Sequence, residues 1–121
     1  MIGFSNDAGK LVEIVLPRKV GKGDFPTLAP LVDAVIEREG SIRLVLNLAT
    51  FRGWTGPGAA LEHLRFVQGH HQKVEQLAVV TGPAWQKLLI GLVHFLVHPG
   101  VKLFKADRVE AAREWVMQDK R

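Results

Sequence analysis

One segment, residues 85–97, is too apolar for an ordinary surface helix. If it is helical, its apolar side chains cover roughly 220° of the circumference, whereas about 100° suffices for packing on a core. Its less apolar positions form one narrow stripe, at spacings of four, three and four: Lys87, Gly91, His94 and His98. One flank of this helix must pack on its own domain, and the other flank needs a second apolar surface.

Three partners would cover the surplus face: a second subunit, an apolar ligand or a membrane surface. Covering a patch of roughly 300–600 Å² contributes several kcal/mol before opposing costs, so a bare patch in water is the least favourable state. The question of function is therefore what this face contacts.

Length and composition point to one folded domain. The chain has 121 residues with 47% hydrophobic and 23% charged residues, and it contains no cysteine. It has no disulfide framework and no thiolate metal site. The amino terminus lacks the basic and apolar regions of a signal peptide. The longest apolar run, residues 88–97, is shorter than the roughly 20 residues that span a bilayer. We therefore predict a cytoplasmic protein, peripheral at the inner membrane if the apolar helix binds lipid.

The positive charge of the chain does not indicate nucleic-acid binding. The net charge is +4, and the basic residues are scattered along the sequence. No aromatic residues alternate with them as in a single-strand binder, and no DNA-reading helix motif is present. We expect no nucleic-acid partner and interpret the basic residues as a solubilising surface.

Apolar runs and helical periodicities alternate along the chain, which is typical of a mostly parallel sheet. The run at residues 42–48 is apolar at nearly every position, as in strands buried on both faces. The sequence thus predicts a single α/β domain over residues 1–121, with a mixed, mostly parallel sheet of four to five strands and about four helices on both faces. The predicted strands are residues 1–5, 10–16, 42–48, 77–81 and 101–104; the predicted helices are one between Asp24 and Gly40, residues 59–72, residues 84–98, and one after Asp107.

Helix ends carry recognisable signals. Asp24 suits the N-cap of the first long helix, and Gly40 suits its end. Pro30 is expected to make the first turn of that helix irregular. Asp107 and Glu110 have the spacing of a capping box for the last helix.

The helix predicted at residues 59–72 has two candidate faces. We assign Ala60, Leu61, Leu64 and Val67 to the core face. The opposite face then holds Phe66 between His63 and His70, which predicts a second contact surface.

The loop predicted at residues 49–58 follows the carboxyl end of a central strand, where open α/β sheets usually bind ligands. Its glycines could bring backbone N–H groups to an anion, but it matches neither a phosphate-binding loop nor a dinucleotide fingerprint. The simpler interpretation is a turn that needs flexible geometry. Thr50 and Thr55 could be phosphorylated there.

The histidines form no recognisable catalytic or metal motif. His94 and His98 lie four residues apart, but no third ligand accompanies them. An enzyme would need His63, His70 or His71 to converge on residues 52–58. We therefore predict no enzyme, no catalytic residue, no cofactor and no metal.

Short motifs over nearly the whole chain match one known family. They are Gly23-Asp24-Phe25, Pro30-Leu31, Leu46-Asn47-Leu48, Phe51-Arg52-Gly53-Trp54, Leu77-Ala78-Val79-Val80, Trp85, Val101-Lys102-Leu103-Phe104 and Ala111-Ala112-Arg113-Glu114-Trp115-Val116. Through them the chain resembles the stage II sporulation protein AA-like family, bacterial relatives of the STAS domains of anti-sigma-factor antagonists.

The resemblance implies a STAS-like fold and a similarity to the lipid-binding lobe of CRAL-TRIO proteins. It also implies association with membranes or apolar ligands, with helix movement opening a cavity. The chain departs from anti-sigma antagonists at one place. Their Asp-Ser-x-Gly phosphorylation motif is replaced by Thr55-Gly56-Pro57-Gly58, which leaves Thr55 as a weak substitute for the serine.

The favoured hypothesis is a non-enzymatic binding domain whose helix at residues 84–98 covers an apolar, lipid-like ligand or docks on a membrane. The alternative is a protein–protein interaction module without lipid, either a homodimer across a two-fold axis or a STAS-type regulatory domain. The contact residues expected for ligand, membrane or interface are Trp54, Phe66, Trp85, Leu88, Leu89, Leu92, Val93, Phe95 and Leu96.

Overall fold

A computed structural model describes residues 2–6, 9–83 and 100–118 of the chain. Its main element is a five-stranded sheet in the order β1-β2-β4-β6-β7. The strands of this sheet are β1 Gly3–Ser5, β2 Leu11–Val15, β4 Ile42–Asn47, β6 Val74–Val80 and β7 Gly100–Phe104; the helices are α1 Asp24–Glu39, α2 Pro57–His70 and α3 Val109–Val116, with a 3-10 turn at His71–Lys73.

The sheet is mixed, with one antiparallel edge. β1 pairs with β2 antiparallel, while β2, β4, β6 and β7 pair in parallel. The turn between the first two strands is held by Asn6, whose Nδ2 donates to the carbonyl oxygens of Gly9 and Leu11 at 3.1 and 2.7 Å. This arrangement confirms the predicted strand pair and the mostly parallel sheet.

Helices cover both faces of the sheet, as predicted. On one face, α1 buries Phe25, Leu28, Val32 and Val35 in the main core cluster. On the other face, α3 buries Ala112 and Val116 against β4 and β6. Neighbouring residues Leu44 and Val45 of β4 are both buried because each faces a different helix layer, which explains the continuous apolar run.

The first long helix ends as predicted but begins differently. Gly40 has φ +86°, and its N–H donates to the Ile36 carbonyl at 2.6 Å, so a glycine is needed there. At the start, the N-cap is Gly23, and no side chain caps the helix. Asp24 instead accepts a hydrogen bond from the Gly21 N–H at 2.7 Å, outside the helix. Pro30 lies inside a continuous helix, so the expected irregular first turn is wrong.

The core face predicted for α2 is wrong at Leu61, and the side chains of Leu64 and Val67 lie outside the described residues. His63 and Ala59 are buried, whereas Leu61 is 47% exposed. The reason is aromatic packing between helices, since the Phe25 ring of α1 lies 5.1 Å from the His63 ring and 5.7 Å from the Phe66 ring. The side with His63 and Phe66 therefore faces the core. The boundaries also shift, because α2 begins at Pro57 and β6 begins at Val74.

The capping box expected before α3 does not form. The N-cap is Arg108, with no side-chain cap hydrogen bond. Glu110 instead pairs with Arg113, which also bridges to Glu13 of β2 at 2.6 Å. Glu110 therefore contacts a side chain of its own helix and does not cap the helix start.

A second, two-stranded sheet was not predicted. It pairs β3 Lys19–Val20 with β5 Gly53–Trp54 in parallel, within the region expected to be a loop. The predicted helix at residues 84–98 lies outside the described residues, and the other three predicted helices are the three α-helices of the described part of the chain. In the described part of the chain, no helix combines the length and apolarity needed to cross a bilayer.

Candidate interaction site

The carboxyl ends of β2 and β4 open at the same edge of the sheet because the two strands are parallel. The chain leaving β2 and the chain leaving β4 then pair again as the two-stranded sheet of β3 and β5. We call this small sheet and its flanking residues, 17–23 and 49–58, the edge ribbon. It leads directly into the first turn of α2.

Backbone hydrogen bonds hold the edge ribbon in one conformation. The Arg52 N–H donates to the Arg18 carbonyl at 2.8 Å, and the Thr55 N–H donates to the Val20 carbonyl at 2.9 Å. The Thr50 hydroxyl lies 3.3 Å from the Leu16 carbonyl. Gly53 has φ +146°, a conformation that only glycine adopts readily. The positive φ of Gly53 agrees with the expected turn that needs glycine geometry, and the hydrogen bonds hold the segment as an ordered ribbon.

Buried side chains anchor the same segment. Phe51 is fully buried and belongs to the main core cluster. Trp54 is half-buried and packs against that cluster, with its ring 5.5 Å from the Phe51 ring. The residues between and beyond these anchors point outward, since Thr50, Arg52 and Thr55 are exposed.

Trp54 also makes a polar contact with α2. Its Nε1–H donates to Nδ1 of His63 at 3.0 Å. An accepting Nδ1 places the imidazole proton on Nε2. Burial lowers the pKa of His63 to about 4, because desolvation penalises the charged ring. At neutral pH this histidine is therefore a neutral acceptor that fixes the indole.

The other described histidine of α2 has a different partner. His70 lies 2.8 Å from the Phe66 carbonyl through Nδ1 and 2.8 Å from Asp33 Oδ1 through Nε2. Its ring stacks on Phe66 at 4.2 Å. His70 thus joins α2 to α1, and of the two described histidine side chains it is His63 that contacts residues 52–58, through Trp54. The His71 side chain lies outside the described residues.

The predicted contact residues separate into two groups. Trp54 and Phe66 both lie in the aromatic cluster around Phe25 and His63, and both pack on the core. The others lie outside the described residues: Trp85, Leu88, Leu89, Leu92, Val93, Phe95 and Leu96. Thr55 is exposed at the start of α2, where phosphorylation stays a prediction.

The sequence reasoning missed a group of basic residues on the edge ribbon. Arg18, Lys19 and Lys22 are all exposed. Lys19 stands opposite Gly53 in the ribbon, and the Lys22 side chain reaches within 3.6 Å of where a Cβ on Gly58 would be. Their closeness in sequence was a usable signal, but their position beside the start of α2 required the tertiary structure. Within the described residues, no three His, Asp or Glu side chains could share a metal ion.

Sequence comparison agrees with this architecture. A family model described as SpoIIAA-like matches residues 11–117, which is most of the chain. The chain belongs to the SpoIIAA-like family. This membership points to a regulatory or interaction domain.

One solved structure shares the SpoIIAA-like fold. It is an uncharacterized protein from the DUF3478 family of Shewanella loihica PV-4, described as having a SpoIIAA-like fold. The two chains are 17% identical and superpose with a TM-score of 0.71, covering 96% of this chain and 92% of the other. At this identity the likeness concerns the fold alone. A search of curated protein sequences gives no significant match.

Proposed function

We propose that this SpoIIAA-like domain is a non-enzymatic regulatory module that binds another protein through the edge ribbon. The observation that carries the proposal is the alternation of anchored and exposed residues in that ribbon. Phe51 and Trp54 fix the segment to the core, while exposed Arg52 lies between them and exposed Thr50 and Thr55 lie on either side. A segment held in this way presents side chains without needing to be ordered on binding.

Preorganisation matters because ordering a mobile loop at an interface costs binding free energy. Here much of that cost is met within the fold, by the pairing of Arg52 with Arg18 and of Thr55 with Val20. Functional segments commonly lie on connections positioned by a rigid scaffold in this way. Family membership supports the same class of function.

Site-specific photo-crosslinking in the cells that make the protein tests this proposal. A benzophenone amino acid replaces exposed Thr55, and a matched control replaces exposed Glu114 on α3. We expect a discrete adduct with a second protein from position 55 and none from position 114. Equal labelling from both positions, or no protein adduct from position 55, would overturn the proposal.

The second candidate function is binding of an apolar ligand or membrane lipid through residues 84–98. The sequence observation that favours it is the oversized apolar arc, and its contact residues are those named above, from Trp54 to Leu96. Native mass spectrometry before and after organic extraction tests it. An extra mass removed by extraction supports a bound lipid. A dimer mass without any adduct contradicts it and assigns the arc to a homodimer interface.

A further inference from the structure

The two edges of the main sheet differ in how their basic side chains are neutralised. At the amino edge, Glu75 accepts from Lys10 at 2.5 Å and from Arg43 at 3.2 Å. Its hydrogen bond with Lys10, followed by those with Ser41 and Arg43, lowers the pKa of Glu75 to about 2. Arg38 at the end of α1 pairs with Glu39 at 2.9 Å. Lys10, Arg38 and Arg43 are therefore each paired with a carboxylate at this edge.

At the carboxyl edge, three basic side chains of the edge ribbon differ from these. Arg18, Lys19 and Lys22 of the edge ribbon are exposed, and none of them takes part in an ion pair within the described part of the chain. The carboxylate of nearby Asp24 is engaged by the Gly21 N–H at 2.7 Å. Three exposed positive charges are thus grouped on the edge ribbon.

We infer that the edge ribbon binds an acidic segment of its partner protein, with carboxylates contacting Arg18, Lys19 and Lys22. This inference rests on the proposed function, since it names the chemistry of the partner at that same surface. Complementary charge selects a partner and speeds its encounter more than it adds affinity. The ribbon supplies fixed positions for these charges because Lys19 and its neighbour Val20 are paired with β5.

The aromatic side chains of the ribbon argue against nucleic acid. Binding of single strands relies on exposed rings on which bases stack. Phe51 is fully buried, and Trp54 packs on the core with its indole nitrogen held by His63. The ribbon therefore offers charge without a stacking platform.

The packing of the ribbon's aromatic residues argues against a membrane surface. Sequence-readable binding to anionic lipid uses clusters of about four to eight lysines or arginines beside an inserted apolar anchor. The ribbon carries four basic residues, at the lower end of this range, and its aromatic residues pack on the core. An acidic peptide segment fits a small group of fixed charges better than a diffuse lipid surface does.

Fluorescence anisotropy with a labelled decaglutamate peptide tests the inference on the full chain. The variant K19E/K22E reverses two ribbon charges, and the control R65E/K73E makes the same charge change at exposed positions of α2 and the following 3-10 turn. We expect K19E/K22E to weaken peptide binding about tenfold at low salt, and the control to change it less than about threefold. Circular dichroism confirms that both variants fold.

Equal weakening by the two variants would show a response to net charge alone and would overturn the inference. So would ribbon-dependent binding of single-stranded RNA, or of vesicles of phosphatidylcholine and phosphatidylserine, without peptide binding. The crosslinking experiment distinguishes failure of the acidic-partner inference from failure of the proposed function. If position 55 still labels a protein in a K19E/K22E background as strongly as before, the acidic-partner inference fails while the proposed function stands. If position 55 labels no protein in either background, the proposed function itself fails.

Discussion

The indole N–H of Trp54 donates to Nδ1 of His63 at 3.0 Å, joining the edge ribbon to the core side of α2. The two residues lie nine positions apart, and their rings are 5.7 Å apart in an edge-on arrangement. His63 is only 8% exposed, so its acceptor nitrogen is largely shielded from water. The contact therefore couples the stability of α2 to the conformation of the proposed binding surface.

Removing either member of this pair should destabilise the fold. We expect His63→Ala to lower the free energy of unfolding by about 2–4 kcal/mol, through lost packing and an unsatisfied indole N–H. Trp54→Phe should cost about 1–2 kcal/mol. Urea unfolding of the single and double variants measures the coupling. Additive effects would contradict an energetic link, and exposed Thr55→Ala serves as the control with less than about 0.5 kcal/mol.

The same histidine predicts a pH dependence of stability. Its folded pKa of about 4 is below the ordinary value of 6.5, so the unfolded chain takes up the proton first. Above pH 6.5 the ring is neutral in both the folded and the unfolded chain, so its titration does not change the free energy of unfolding. As the pH drops from 6.5 towards 4, the free energy of unfolding falls by at most about 3 kcal/mol. Chemical unfolding across this range should show a steeper loss in the wild type than in His63→Gln. If the unfolding free energies of the two proteins fall in parallel with pH, the loss of stability comes from titratable groups other than His63.

Substitution by alanine should have opposite effects on stability at two of the glycines. A Cβ on Gly82 would lie 2.7 Å from the Ala49 carbonyl oxygen and even closer to that of Leu48, where backbone would have to move. Gly82→Ala should therefore destabilise by about 2 kcal/mol or more. A Cβ on Gly58, in the first turn of α2, meets only the Lys22 side chain at 3.6 Å. Gly58→Ala should be neutral or stabilise by up to about 1 kcal/mol in thermal unfolding; the reverse order would contradict the geometry.

The bridge between Arg113 and Glu13 should hold α3 against β2. Arg113 donates to both carboxylate oxygens, at 2.6 and 3.0 Å, and its hydrogen bond to Glu13 raises its pKa. Arg113→Met should cost about 1–2 kcal/mol because Glu13, mostly buried, loses its partner. Glu110→Gln, which removes the exposed partner of the same arginine, should cost less than about 0.5 kcal/mol. Similar losses of unfolding free energy in the two variants would show that the bridge to Glu13 stabilises the fold no more than the exposed pair does.

Much of the fold could be predicted because its signals are local. The apolar run at residues 42–48 has the character of a strand covered on both faces, and Gly40 marks the end of a helix that needs φ above zero. Both features depend on a few adjacent residues. The family resemblance came from similar short motifs, and the family match confirms it.

The wrong predictions concern features that are determined by contacts with residues far away in the sequence. Both faces of α2 carry apolar residues, so its periodicity could not show that Phe25 of α1 would choose the side with His63 and Phe66. Glu110 had the spacing of a cap, but Arg113, held by Glu13, competes for its carboxylate. Two-residue strands such as β3 have no periodicity to detect.

By itself, the sequence determined the alternation of strands and helices, the mostly parallel sheet and the family, because these follow from hydrophobic pattern and turn residues. The tertiary structure decided which surface is presented. Parallel pairing of β2 with β4 places Lys19 beside Gly53, although the two residues are far apart in the chain. A charged surface is a property of distances between side chains, and those distances exist only once the sheet has formed.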